Sequence, residues 1–336
     1  MSNAWKLTVA WTTILFLFMH GSLFFSRVLS NVGLIELDKR LTSPITSTPF
    51  PNRAERFLIK AARVNSSNRS AWRAAGFLYA TMNQEQKAIA SWSQAETISK
   101  ELLLWGKLAE QHMRYSEALL WYRRAITLSP ELGDPWFAIG RLRQKQKNWQ
   151  AALAAYQVAA RKNAFYQDVK SDAYFQQGII YQWAPEYKNI ALALEMYQTA
   201  LKIDRFSTRT VKADAFYRRG EIHEWLGDDS TQYLADYRQA LTLHPDHLSA
   251  RLRLGYNLYW QEKNLTQAEQ NIKQTIKVWR RQGNTTSLAQ AYRLLGDIYY
   301  NAKLLPEAKS AYQAAAEIEP TNQHVQNMLR VLDHEE

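Results

Sequence analysis

No cysteine occurs among the 336 residues, so disulfides, thiolate metal sites and cysteine nucleophiles are excluded. The absence says nothing about compartment, because a cysteine-free chain tolerates oxidising and reducing surroundings alike. Glycine and proline are scarce, at 12 and 9, which disfavours an all-β protein, whose many turns would require more of both. The Gly-x-Gly spacing of dinucleotide folds is missing, as are the P-loop, the His-Glu-x-x-His zinc pair and the Gly-x-Ser-x-Gly elbow. His244 and His247 stand three apart around Pro245, with no third ligand near them. No metal, cofactor or catalytic centre is expected, and the chain reads as non-enzymatic.

The length exceeds one average core and suits either two globular domains or one elongated array. Aromatic residues make up 12%, with 12 Trp and 18 Tyr, so apolar surface is plentiful and disorder is disfavoured. The formal charge is +11, concentrated in residues 53–66, 133–166 and 246–282, while the last 54 residues are net acidic. An excess scattered in this way reads as solvated helix faces rather than as a nucleic-acid footprint, so nucleic acid ranks third among the partners considered.

Residues 7–25 carry no charged side chain and are bracketed by Lys6 and Arg27. Nineteen helical residues would span about 28 Å, close to the ~30 Å hydrocarbon thickness. This predicts a single-pass anchor over 1–26, or an uncleaved signal; a cleaved signal is the alternative. Residues 27–52 contain Pro44, Pro49 and Pro51 and read as a semi-rigid linker. The positive-inside count leans to a cytoplasmic body, whereas the short tail ahead of a signal-like segment argues for export. The balance is narrowly for export, to an extracytoplasmic face.

Glycine recurs at Gly76, Gly106, Gly140, Gly178, Gly220, Gly255 and Gly296. Twelve to fifteen residues after each comes an alanine, with Tyr233 the one exception. Four residues further on stands a large residue: Trp92, Tyr122, Tyr156, Tyr197, Tyr237, Ile272 or Tyr312. A second small residue follows three later, and Pro130, Pro245 and Pro320 close three of the units. Gly in a helix costs about 1 kcal/mol relative to Ala, so seven at one register imply close approach of a second helix, whose small residues would meet them. Each unit is then a helical hairpin that buries its apolar stripe only by stacking on its neighbours.

This pattern resembles the tetratricopeptide repeat. The last unit carries it most fully, in Tyr292, Leu295-Gly296, Tyr299, Ala308, Tyr312, Ala315 and Pro320. The resemblance covers residues 53–320 and implies an all-α, right-handed superhelical solenoid of about seven hairpins; the apolar run 7–25 would place one transmembrane helix before it. A lone helix is placed at 53–66, repeats at 69–99, 100–132, 133–166, 171–206, 213–246, 248–282 and 289–320, and a cap at 321–336. The glycine spacing is uneven, and most extra residues fall between hairpins, at 161–172, 202–214 and 278–290.

In stacked hairpins of this family, one face of the first helices lines the concave surface and carries ligand contacts. The resemblance places Phe137, Arg141, Phe175, Trp183, Tyr217, Glu221, Trp225, Tyr256, Tyr259, Trp260, Arg293 and Tyr300 there. Aromatics interleaved with charges have the composition of a binding patch; the alternative is that several pack on the adjacent helix. Trp183, Trp225 and Trp260 hold one register and are expected to be exposed along one groove. Trp72, Trp92 and Trp136 hold positions between paired helices, and the carboxylates are expected on exposed faces. The Lys–Asn clamp with which some members grip a partner's C-terminal carboxylates is absent: the corresponding pairs include Phe175/Ile179 and Tyr217/Glu221. The resulting expectation is a membrane-tethered scaffold binding a protein or peptide partner, possible in envelope assembly by analogy alone. Handling of a polysaccharide or other polymer is the alternative.

Overall fold

The computed structural model describes Ser26 and residues 51–95 and 98–335. Between 51 and 335 it contains sixteen α-helices and one 3₁₀ turn, Pro185–Tyr187. Among the described residues β-structure is confined to an isolated bridge between Leu132 and Ala164. The chain divides into two compact units, one comprising residues up to Asn148 with Lys162–Tyr166, the other Trp149–Arg161 and the chain from Gln167 onward.

The first unit holds α1 (Pro51–Val64), α2 (Arg69–Thr81), α3 (Glu85–Ala95), α4 (Ser99–Gln111), α5 (Tyr115–Leu128) and α6 (Asp134–Lys145). The second holds α7 (Trp149–Arg161), α8 (Lys170–Trp183), α9 (Ile190–Ile203), α10 (Arg209–Leu226) and α11 (Ser230–Leu243). It continues with α12 (Leu248–Glu262), α13 (Leu265–Gln282), α14 (Thr285–Asn301), α15 (Leu305–Ile318) and α16 (Gln323–Glu335). Consecutive helices pair as hairpins: α2 with α3, α4 with α5, α8 with α9, α10 with α11, α12 with α13 and α14 with α15. The starts are fixed by side chains that accept an otherwise orphaned N–H, as Asn68, Asn189, Thr208, Asn264 and Asn284 do.

Gly76, Gly106, Gly178 and Gly296 meet the large aromatic of the second helix rather than the small residues that the spacing had suggested, whereas Gly220 and Gly255 first meet Asp236 and Asn271. A Cβ on Gly106 would lie 2.3 Å from the Tyr122 ring, and one on Gly178 would lie 2.5 Å from that of Tyr197. The rings of Trp92, Tyr122, Tyr197 and Tyr312 are fully or almost fully buried against these glycines. The alanines at Ala88, Ala118, Ala193 and Ala308 are buried beside them and let the helices approach.

The extra residues between hairpins are tied down locally. In the first unit, Gly133 N–H donates to Ala164 O at 2.9 Å, Phe165 lies over Gly133, and Tyr166 N–H donates to Asp134 Oδ2 at 2.9 Å. In the second, Ser171 N–H donates to Arg205 O at 3.0 Å, and Ser207 N–H donates to Asp172 Oδ1 at 3.1 Å.

The expectation of a preceding transmembrane helix is corrected. Among the described residues no helix is long and apolar enough to cross a membrane. The longest, α10 and α13, have 18 residues each but carry charges that hydrocarbon would not accept, among them Arg218, Glu221, Lys273 and Lys277. Residues 7–25, to which the anchor was assigned, lie outside the described residues, as does all but the end of the linker. Ser26, set at the end of the anchor, is instead buried: its Oγ donates to Ala61 O at 2.8 Å and accepts from Asn68 Nδ2 at 2.6 Å. The membrane contact, single-pass location and exported topology that followed from the anchor are withdrawn with it.

Candidate protein-binding face

Behind the first-helix face lies a recurring polar device. Four residues after the repeat glycine stand Glu110, Gln182 and Glu224, and each accepts the hydroxyl of its hairpin's buried tyrosine. Tyr122 donates to Glu110 at 3.1 Å, Tyr197 to Gln182 Oε1 at 2.7 Å and Tyr237 to Glu224 at 2.5 Å. In the last hairpin Asp297, one residue after the glycine, takes the Tyr312 hydroxyl at 2.8 Å. Burial pushes all four hydroxyls up, with the neighbouring carboxylates adding to it, so they remain protonated donors. In the first hairpin the same register holds Ala80, and the Trp92 Nε1–H correspondingly has no partner among the described residues.

Several carboxylates expected on exposed faces are therefore buried. Glu110 is 6% exposed and binds Arg141 at 2.9 Å and Lys145 at 2.6 Å. Burial works to raise its pKa, but the bonds to Lys145 and Arg141 outweigh burial and hold the carboxyl below its usual range. Glu221 is 5% exposed and accepts from Gln182 Nε2 at 3.0 Å, the Tyr217 hydroxyl at 3.0 Å and Arg218 Nη1 at 2.8 Å. Asp172 is also buried and is raised chiefly by that burial, against the bonds from Ser207.

The twelve residues expected on the concave face fall into distinct environments. In the first unit, Phe137 and Arg141 are half-buried. In the second, Phe175, Tyr217, Glu221 and Tyr259 are buried, while Tyr256, Trp260, Arg293 and Tyr300 are half-buried. Arg293 pairs with Asp297 at 2.8 Å. Trp183 and Trp225, contributed by α8 and α10, are 51% and 43% exposed and meet edge to face with centroids 5.6 Å apart. The Arg218 guanidinium lies 5.5 Å from the Trp183 ring while held by Glu221, so one side of the pair is fixed by a charge network. Trp260 differs from these two: it is half-buried against Tyr259 at 5.3 Å and Tyr256 at 5.9 Å.

Two features escape the spacing argument. In the first unit, Phe77, Trp105 and Trp121 form a cluster with centroid distances of 5.9 to 6.3 Å, and Arg124 lies 4.5 Å from the Trp121 ring. Trp105 holds an inter-helix position in the pattern yet is 46% exposed; the adjacent apolar pair Leu104-Trp105 is the sequence signal for it. The second is a cavity of about 340 Å³ in the second unit, where Phe175 and Ile179 of α8 face Tyr217 of α10. Among the polar groups lining it are Asp214, His247 and Ser249.

With this geometry in hand, similarity to known proteins can be placed on it. Two tetratricopeptide-repeat family models match, over residues 214–247 and 257–322, which contain most of α10, all of α11, the end of α12 and all of α13 to α15. No curated protein matches the sequence. A chain of the APC/C Cut9–Hcn1 hetero-tetramer is similar in structure, with 16% identity and a TM-score of 0.50 over 84% of this chain. The match covers 52% of that chain, so the present chain spans about half its length. PilF of Pseudomonas aeruginosa is similar with 14% identity and a TM-score of 0.53, over 71% of this chain and 97% of its own. At such identities the likeness is one of fold. Both family matches are to a helical repeat, and neither is to an enzyme family. Among the described residues no group of three or more His, Asp or Glu side chains could hold a metal ion.

Proposed function

We propose that the chain is a non-enzymatic helical-repeat scaffold that binds a protein through an extended peptide segment laid across the first-helix face of its second unit. The observation that carries this reading is the Trp183–Trp225 pair. Two indoles 5.6 Å apart, each about half exposed, contribute little burial to the fold, whereas aromatic anchors dominate the energetics of protein interfaces. The groups beneath them are already satisfied, so Arg218, Glu221, Gln182 and Tyr197 form a preformed base that need not reorganise on binding. Selection from a random peptide library on the full chain tests the reading. The wild-type protein should enrich related sequences, and Trp183→Ala and Trp225→Ala should each weaken them by roughly thirtyfold, the effect of losing about 2 kcal/mol. Enrichment that is indifferent to both substitutions contradicts it.

A further inference from the structure

The cavity beside the indole pair has a chemistry of its own. Its walls are the apolar faces of Phe175, Ile179 and Tyr217, and its volume of about 340 Å³ lies at the small end of the ligand-pocket range. That size suits one large side chain with part of its backbone. Two polar groups on it are unusual within this fold.

Asp214 is the first. Asp134, Asp172 and Asp214 each stand six residues before a repeat glycine. The first two are buried and accept a backbone N–H from the segment after their hairpin's second helix, Tyr166 at 2.9 Å and Ser207 at 3.1 Å. Asp214 takes no such bond, its side chain is 43% exposed, and its one ion-pair contact among the described residues is His247. A carboxylate that elsewhere closes the hairpin here faces a cavity.

His247 is the second. It is 8% exposed, and its Nδ1 accepts the Ala250 N–H at 3.2 Å, capping α12. In the neutral ring the proton therefore sits on Nε2. That nitrogen lies 3.1 Å from Asp214 Oδ1 but out of line for a hydrogen bond, and it has no other partner. Nε2 itself is shut off from solvent, so a ligand in the cavity meets His247 through its ring and not through this donor.

We propose that this cavity receives a large apolar side chain of a bound peptide, with the His247 ring packing against it and Asp214 pairing with an adjacent cationic residue. The proposal rests on the reading that this face binds peptide, and it adds a preference: an apolar residue next to Lys or Arg. Arg218 also lines the cavity, but its charge is taken up by Glu221 at 2.8 Å rather than by Asp214, which is left for a cationic ligand.

Isotope-labelled full chain titrated with the blocked dipeptides Phe-Lys, Phe-Glu and Gly-Lys provides the test, followed through the Ile179 methyl and Ser249 amide resonances. Phe-Lys should bind at least about tenfold more tightly than the other two. Asp214→Asn removes the charge from an exposed side chain and should bring Phe-Lys and Phe-Glu within about twofold of each other. Ile179→Trp should fill the cavity and abolish the Phe-Lys shifts, with its fold checked by circular dichroism. Equal binding of Phe-Lys and Phe-Glu, no binding at all, or shifts unaltered by a folded Ile179→Trp protein overturns the proposal. If library peptides still depend on Trp183 and Trp225 in that case, the cavity assignment alone has failed; if they do not, the peptide-binding reading has failed with it.

Discussion

At the scale of single residues, one side chain can serve the fold or a partner depending on whether its polar atoms are already engaged. Glu110 is engaged by Tyr122, Arg141 and Lys145. Its carboxyl is held below the usual range, so the stability it contributes is present at neutral pH and is lost as pH falls through that lowered value. Glu110→Gln should therefore lower the melting temperature at pH 7. The difference from wild type should shrink as pH falls below the ordinary carboxylate range and through that lowered value, where the native carboxyl takes up its proton. A pH-independent difference between the two melting curves would show that the charge plays no part. The repeat glycines give a second residue-scale forecast. Gly178→Ala drives a methyl into the buried Tyr197 ring and should cost about 1–3 kcal/mol in chemical denaturation. Gly283 would meet nothing within 4 Å, but its φ of +68° ends α13 in the left-handed region, so Gly283→Val is strained by its backbone instead. It is consequently no neutral control for the first change.

At the scale of the helix, the turns inside the hairpins repeat a single device. Asn83, Met113, Lys147 and Lys303 each stand seven residues after a repeat glycine with φ between 56° and 62°. In the fifth hairpin the same register holds Gly227, at φ +72°. Left-handed backbone costs an ordinary L-residue about 1–2 kcal/mol, which Gly avoids at some cost in chain entropy. Met113 is 76% exposed and has no core contact to lose. Met113→Gly should accordingly stabilise the protein by up to about 1 kcal/mol, seen as a higher denaturation midpoint; destabilisation would mean that the turn is held by the methionine side chain. The hairpins were legible in the sequence because glycine, alanine and aromatic recur at fixed offsets whatever their surroundings. The partner of each glycine was less legible, since offsets along a chain do not say whether a ring or a methyl crosses to the neighbouring helix. Nor did periodicity reveal that Glu110, Gln182 and Glu224 answer the hydroxyls of Tyr122, Tyr197 and Tyr237, although tyrosine with a polar residue twelve to fifteen positions earlier is a readable pair.

At the scale of the molecule, the candidate face was legible as a register and illegible as a surface. Phe175, Tyr217 and Trp225 share one helical face by spacing, yet the first two are buried and the third is exposed. The difference arises because α8 and α10 meet along part of their length, where Gln182 bonds Glu221, and one helix's periodicity cannot express that contact. Asp214 and His247 were missed for a related reason: they meet across two hairpins, 33 positions apart. The membrane tether was the opposite kind of error, an inference from a run of residues with no described helix to carry it.

The central claim is that the exposed indoles serve a partner and the buried aromatics serve the fold. Thermal unfolding of Trp225→Ala beside Trp92→Ala, both in the full chain, tests it most directly. Trp92 is fully buried against Gly76, so its truncation should cost about 3–5 kcal/mol and lower the melting temperature by many degrees. Trp225→Ala should leave the melting temperature within a degree or two of wild type, as an exposed side chain away from the core does, with a loss of about 0.5 kcal/mol or less. A Trp225→Ala protein that unfolds as early as Trp92→Ala would contradict the account and make the indole pair part of the core.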